Sequence, residues 1–152
     1  MKPKWYHHAI LALGLVMLLA ATIFALTRYG SISGEIPTHY SITGAPDRFS
    51  DKSAIFVIIA ISWGLCALST VLQFFPGVWN TPVKLTPENR ERMLAALRTM
   101  LAVLTLILAL FFSATLVCMA TLRPMPPFAV PLFLIGIFGT IVVSLVLICR
   151  KR

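Results

Sequence analysis

Four long runs of the chain contain no Asp, Glu, Lys or Arg: residues 9–27, 53–75, 99–122 and 128–149. At about 1.5 Å rise per residue, a helix of 20 residues spans the ~30 Å hydrocarbon layer of a bilayer, so each run is long enough to cross a membrane. Only helices and closed barrels satisfy their own backbone in lipid, and charge-free runs of this length are helical spans rather than barrel strands. Of the 152 residues, 59% are hydrophobic and 12% charged, against about 25% charged in an average soluble domain. The expected fold is therefore an all-α integral membrane protein, a single membrane domain over 1–152 built as a four-transmembrane-helix bundle.

The first run follows a basic start, Lys2 and Lys4, and has to be weighed against a cleaved signal peptide. It exceeds the ~7–15 apolar residues of a signal sequence, and it ends in Thr27-Arg28-Tyr29 rather than in a small-residue cleavage site, which predicts a retained helix. Only Arg123 to Pro127 separate the last two runs, so these form an antiparallel hairpin, and Pro131 falls in the first turn of the fourth, where a missing N–H is tolerated.

Charge sets the expected orientation. Lys2, Lys4, Lys84, Arg90, Arg92, Arg98, Arg150, Lys151 and Arg152 lie on one side, against Arg28, Arg48, Lys52 and Arg123 on the other. Basic residues accumulate on the cytoplasmic side, which predicts a cell-membrane protein with both termini cytoplasmic and residues 30–52 as an external loop. A net charge of +8 would suggest nucleic acid in a soluble protein, but here the basic residues flank apolar runs. The expected partner is a bilayer with anionic headgroups and not nucleic acid. Trp5, Tyr6, Tyr29 and Trp79 occupy belt positions.

The segment 76–98 carries Thr86-Pro87-Glu88, a helix-start pattern with Thr86 as cap and Pro87 in the first turn. It predicts an interfacial helix with a Glu88–Arg92 pair worth ~0.3–0.5 kcal/mol, either a basic topology signal or a docking surface over 84–98 for a cytoplasmic partner. Cys66, Cys118 and Cys149 lie in or beside apolar runs without a metal-binding spacing and are expected to pack as small hydrophobes. Ala60-x-x-x-Gly64 and Gly136-x-x-Gly139 allow close helix approach, and Trp63 and Gln73 are expected to be structural. No ionisable side chain falls in the centre of a span, which disfavours a pump or an ion pathway.

The loop 30–52 holds three of the five carboxylates, Glu35, Asp47 and Asp51, together with His39, the one histidine away from the N-terminus. Its prolines and glycines put turn chemistry at fixed points, with Ile36–Ile42 read as a short extended run and Pro46-Asp47 as a turn. His39 with Asp47, Glu35 and Asp51 has the ligand types for a metal or an acid–base pair, though at the spacing of no metal motif. The plainer reading has His39 and Asp47 bonding the loop backbone, and Arg48 and Lys52 pairing with carboxylates or headgroups.

Ile36-Pro37-x-His39, then Gly44-x-Pro46-Asp47, then Lys52, resembles the signature of the bacterial domain of unknown function 1648 (DUF1648) family. Leu85-Thr86-Pro87-Glu88-Asn89 resembles a segment that follows this domain in relatives. The domain is similar to the N-terminal part of SdpI-type immunity proteins, which protect a bacterium from its own secreted toxin and in some cases hold a repressor at the membrane. After the second span this chain has two further spans in place of the longer C-terminal half of that type.

The resemblance singles out Pro37, His39, Gly44, Pro46, Asp47 and Lys52 and implies a non-enzymatic role with no cofactor. The external loop would then recognise a peptide toxin, a lipid or a membrane protein partner, in immunity or envelope sensing. The alternatives are a metal-dependent membrane enzyme or transporter subunit using the loop histidine and carboxylates, and a structural subunit of a larger membrane complex.

Overall fold

The computed structural model describes residues 4–81 and 83–150, the side chain of Arg150 excepted. Lys2, Lys151 and Arg152, counted above for orientation, lie outside the described residues. The order of elements is α1 (Trp5–Tyr29), β1 (Glu35–Tyr40), β2 (Pro46–Asp51), α2 (Ala54–Leu72), α3 (Arg90–Thr121) and α4 (Ala129–Arg150), with a 3-10 turn at Pro76–Val78. All four helices are long and apolar enough to cross a membrane, and together they form a four-helix membrane bundle.

Helix α3 is the hub, packing against α1, α2, α4 and β1. Between apolar helices in lipid there is little hydrophobic drive, so packing depends on close approach and cross-helix hydrogen bonds. The buried side of α1 is Leu11, Gly14, Leu18, Ala21 and Ala25, spaced alternately three and four residues as in a coiled-coil seam. Three of those five are Gly or Ala. At Gly14 an added Cβ would lie 3.2 Å from the Ala109 Cβ and 3.3 Å from the Leu106 Cα, so the two backbones nearly touch. His7 lies beside Thr99 at one end of the same contact, so α1 and α3 run parallel.

Polar side chains tie α2 into this pair. Trp63 Nε1 donates to Thr22 Oγ1 at 3.1 Å, and Ser69 and Thr105 hydroxyls share a hydrogen bond of 2.7 Å. The expected small-residue contact of α2 is absent: Ala60 and Gly64 are exposed, and a Cβ on Gly64 would meet nothing within 4 Å. In α4, Gly136 packs on Ile107 while Gly139 has open space around it, and Phe133 stacks on Phe111 with centroids 4.1 Å apart.

At the end of the bundle where α1 begins and α2 stops, polar groups are buried among three helices. His7 Nδ1 accepts the Lys4 N–H at 3.0 Å, which leaves Nε2–H to donate to Thr99 Oγ1 at 3.0 Å, whose own hydroxyl donates to the Ala95 carbonyl. Arg98, counted above as a topology charge, is only 3% exposed. Its Nε and Nη2 donate to the Gln73 carbonyl at 3.3 and 3.2 Å, and its guanidinium stands over the Trp79 ring. Trp79, expected in an aromatic belt, donates Nε1–H to the Leu72 carbonyl. Cation and indole therefore satisfy the last carbonyls of α2, where the helix dipole is negative.

The interfacial helix expected in 76–98 is not a separate element. Residues 90–98 are the first turns of α3 itself. The helix-start pattern does operate, because Thr86 N–H donates to Asn89 Oδ1, Asn89 N–H donates to Thr86 Oγ1, and Arg90 N–H donates to the Thr86 carbonyl. Glu88 bonds the Thr86 hydroxyl, which lowers its pKa, in place of the expected pairing with Arg92.

The α1–α3 contact predicts a contrast between two glycines. Gly14→Leu should destabilise the protein by about 1–3 kcal/mol through overpacking, while Gly64→Leu should leave it nearly unchanged. Unfolding midpoints in mixed detergent micelles measure both.

Candidate functional site

The loop between α1 and α2 folds as an antiparallel hairpin laid across the end of the bundle. Register runs Glu35 opposite Asp51, Ile36 opposite Ser50 and Pro37 opposite Phe49, then His39 opposite Arg48 and Tyr40 opposite Pro46. Each strand thus carries one extra residue, Thr38 on β1 and Asp47 on β2. Such paired irregularities re-aim side chains without changing the overall register. Pro46-Asp47, expected as a turn, is the start of β2, and the turn is Ser41–Ala45, closed by Ser41 N–H to the Ala45 carbonyl and Gly44 N–H to the Ser41 carbonyl.

Most of the motif holds the hairpin down. Ile36 and Pro37 are fully buried, and Ile36 joins Ile32, Ile55, Leu116 and Met119 in the main core. Tyr40 is buried with Cys118 and Met125, and burial pushes its phenol well above the usual range; its hydroxyl has no hydrogen-bond partner among the described residues.

Gly44 has φ +81°, and a Cβ there would run into the Met125 carbonyl oxygen. Met125 N–H donates to the Gly44 carbonyl at 2.9 Å. This position demands glycine twice, for the left-handed backbone and for the close approach. Lys52 Nζ donates to the Ile32 carbonyl at 3.1 Å and lies 5.0 Å from the Tyr29 ring centroid. It closes the two ends of the loop against each other rather than pairing with a carboxylate.

His39 and Asp47 differ from the rest. His39 Nδ1 and Asp47 Oδ1 are 2.6 Å apart, with the two side chains 65% and 47% exposed. They bond each other and not the loop backbone. The carboxylate orients the ring through Nδ1, and Nε2 remains on an exposed side chain, free to engage a second molecule. Ile42, in the turn, and Phe49, on β2, are each about half exposed on the same hairpin.

Glu35 and Asp51 do not converge with this pair. They face each other at the far end of the strands, four residues from His39 along β1 and so roughly 13 Å away. Asp51 Oδ1 instead accepts the Ser53 N–H at 2.9 Å at the start of α2. Hydrogen bonds from the Ser53 side chain and backbone hold the Asp51 carboxyl below the usual carboxylate range. Among the described residues, no three His, Cys, Asp or Glu side chains are grouped to hold a metal ion.

The domain of unknown function DUF1648 matches residues 16–63, from the first half of α1 through the hairpin to the middle of α2. The stretch includes every motif residue described above. No curated protein and no solved structure matches the chain.

Two expectations follow from the division of labour within the motif. Gly44→Ala should lift the hairpin from the α3–α4 turn, read as protease cleavage within 41–45, whereas His39→Ala and Asp47→Ala should leave cleavage at the wild-type rate. The depressed Asp51 carboxyl contributes stability above its unfolded pKa of about 4, and this is lost as pH falls through the folded value. Unfolding midpoints at neutral pH and near pH 2 should show an acid-induced loss that is smaller in Asp51→Asn.

Proposed function

We propose that this chain is a non-enzymatic bacterial membrane protein that recognises a peptide, lipid or partner protein through the exposed face of its hairpin. Immunity to a secreted toxin or envelope sensing is the concrete role. The observation that carries this reading is the contrast within one motif. Ile36, Pro37, Gly44 and Lys52 are committed to the fold, while His39 and Asp47 bond each other on an exposed surface that the fold does not need.

Polar side chains held in a fixed orientation, on a hairpin that also exposes Ile42 and Phe49, have the make-up of a recognition surface. Binding is favoured over catalysis because the pair opens to solvent, and the apolar grooves of the bundle lie elsewhere, between helices.

The proposed setting is the cell membrane, with both termini cytoplasmic and the hairpin outside. Its support is the excess of basic residues on the terminal side, nine against four. A Thr43→Cys variant in the hairpin turn should react with a membrane-impermeant maleimide in intact cells. Labelling only after permeabilisation would reverse the orientation.

Function is tested by growth of cells carrying wild type, His39→Ala or Asp47→Ala at matched membrane levels, challenged with a panel of secreted peptide toxins. The expected result is protection by wild type that either substitution abolishes. Equal protection by all three would remove recognition from the His39–Asp47 pair.

A further inference from the structure

A continuous apolar groove runs between α3 and α4. Its central part, about 420 Å³, is lined by Met100, Val103, Gly139, Thr140, Val143 and Leu147. Leu147 also lines a smaller, mostly apolar recess, about 60 Å³, whose one charged member is Arg92. From Gly136 near the middle of α4 to Leu147 near its end is roughly 16 Å of helix, close to the depth of one leaflet of the ~30 Å hydrocarbon core. This stretch of the groove therefore runs from near mid-membrane to the boundary at an arginine, while a second apolar stretch continues from Gly136 the other way to Phe128.

That arginine is exposed and takes part in no hydrogen bond or ion pair among the described residues. Its expected partner, Glu88, is turned to Thr86. Glu91, adjacent in sequence, does not share its side of a helix. At the same end α4 finishes at Arg150, and Lys151 and Arg152 follow in the sequence. An open apolar stretch one leaflet long that ends at an exposed, unpaired guanidinium matches an anionic phospholipid in both its parts.

We infer that the α3–α4 groove holds one acyl chain of an anionic phospholipid whose headgroup phosphate is bound by Arg92. A second copy of this chain is a poorer occupant. Two copies inserted the same way in one bilayer would bring their basic ends together. The inference does not depend on what the hairpin recognises.

Gly139 gives the test a clean variant, because a Cβ there would meet nothing within 4 Å. Gly139→Leu fills the slot without disturbing the helix contact. The full chain, purified in mild detergent, is mixed with phosphatidylglycerol or phosphatidylcholine, and retained lipid is counted by native mass spectrometry, with circular dichroism as a check on helicity.

Wild type should retain one phosphatidylglycerol in preference to phosphatidylcholine. Arg92→Ala should lower phosphatidylglycerol retention about fivefold, towards the phosphatidylcholine level. Gly139→Leu should lower retention of both lipids at unchanged helicity, and soluble glycerol phosphate should fail to compete. Equal retention by all three proteins overturns the inference, as does full competition by glycerol phosphate. A dimer that Gly139→Leu disperses without changing lipid retention would assign the groove to a second copy and also overturn it.

Discussion

Helix α3 can serve as the hub of this bundle because α1 lies almost against its backbone. In lipid, apolar helices gain little by leaving one apolar surrounding for another, so the gain comes from dispersion at short range and from the few hydrogen bonds that cross between helices. Gly14, Ala21 and Ala25 supply the short range, and Trp63–Thr22 and Ser69–Thr105 supply the cross-links. α2 is fixed at both ends as well. Asp51 holds the Ser53 N–H at its start, and Arg98 and Trp79 take its last carbonyls. With α1 and α2 placed against α3, their joined ends define the floor on which the hairpin lies.

The hairpin is correspondingly far from a flexible connection. An isolated two-stranded hairpin is marginal in water, and this one is held by what lies beneath it. Ile36 enters the core, Tyr40 packs on Cys118 and Met125, and the Gly44 carbonyl takes the Met125 N–H. Lys52 draws the two ends of the loop together through the Ile32 carbonyl. A platform fixed at so many points holds the His39–Asp47 pair in one orientation, which lowers the ordering cost of any partner that binds it.

The four spans were legible because charge-free runs of this length have few other structural uses. The hairpin was only half legible. Ile36–Ile42 is legible as an extended run and overlaps β1, whereas proline is a poor strand residue and Pro46-Asp47 carries a turn pattern, which hides the start of β2. The separation of His39 and Asp47 from Glu35 and Asp51 follows from strand register, which is not visible in spacing alone. In the sequence Gly14 is one small residue in an apolar run; the alternating three- and four-residue spacing with Leu11, Leu18, Ala21 and Ala25 is the signal that marks it. The sequence shows only the charge of Arg98, while its role depends on where α2 ends, a tertiary fact.

The central claim is that the motif loop is a rigid platform carrying an exposed polar pair. Hydrogen–deuterium exchange of the full chain in lipid nanodiscs tests it most directly. The structure predicts that backbone amides of Ile36, Tyr40 and Gly44 are protected on the timescale of the helices, with His39→Ala leaving that protection unchanged. Exchange of these amides within seconds, at the rate of an unstructured loop, would contradict it.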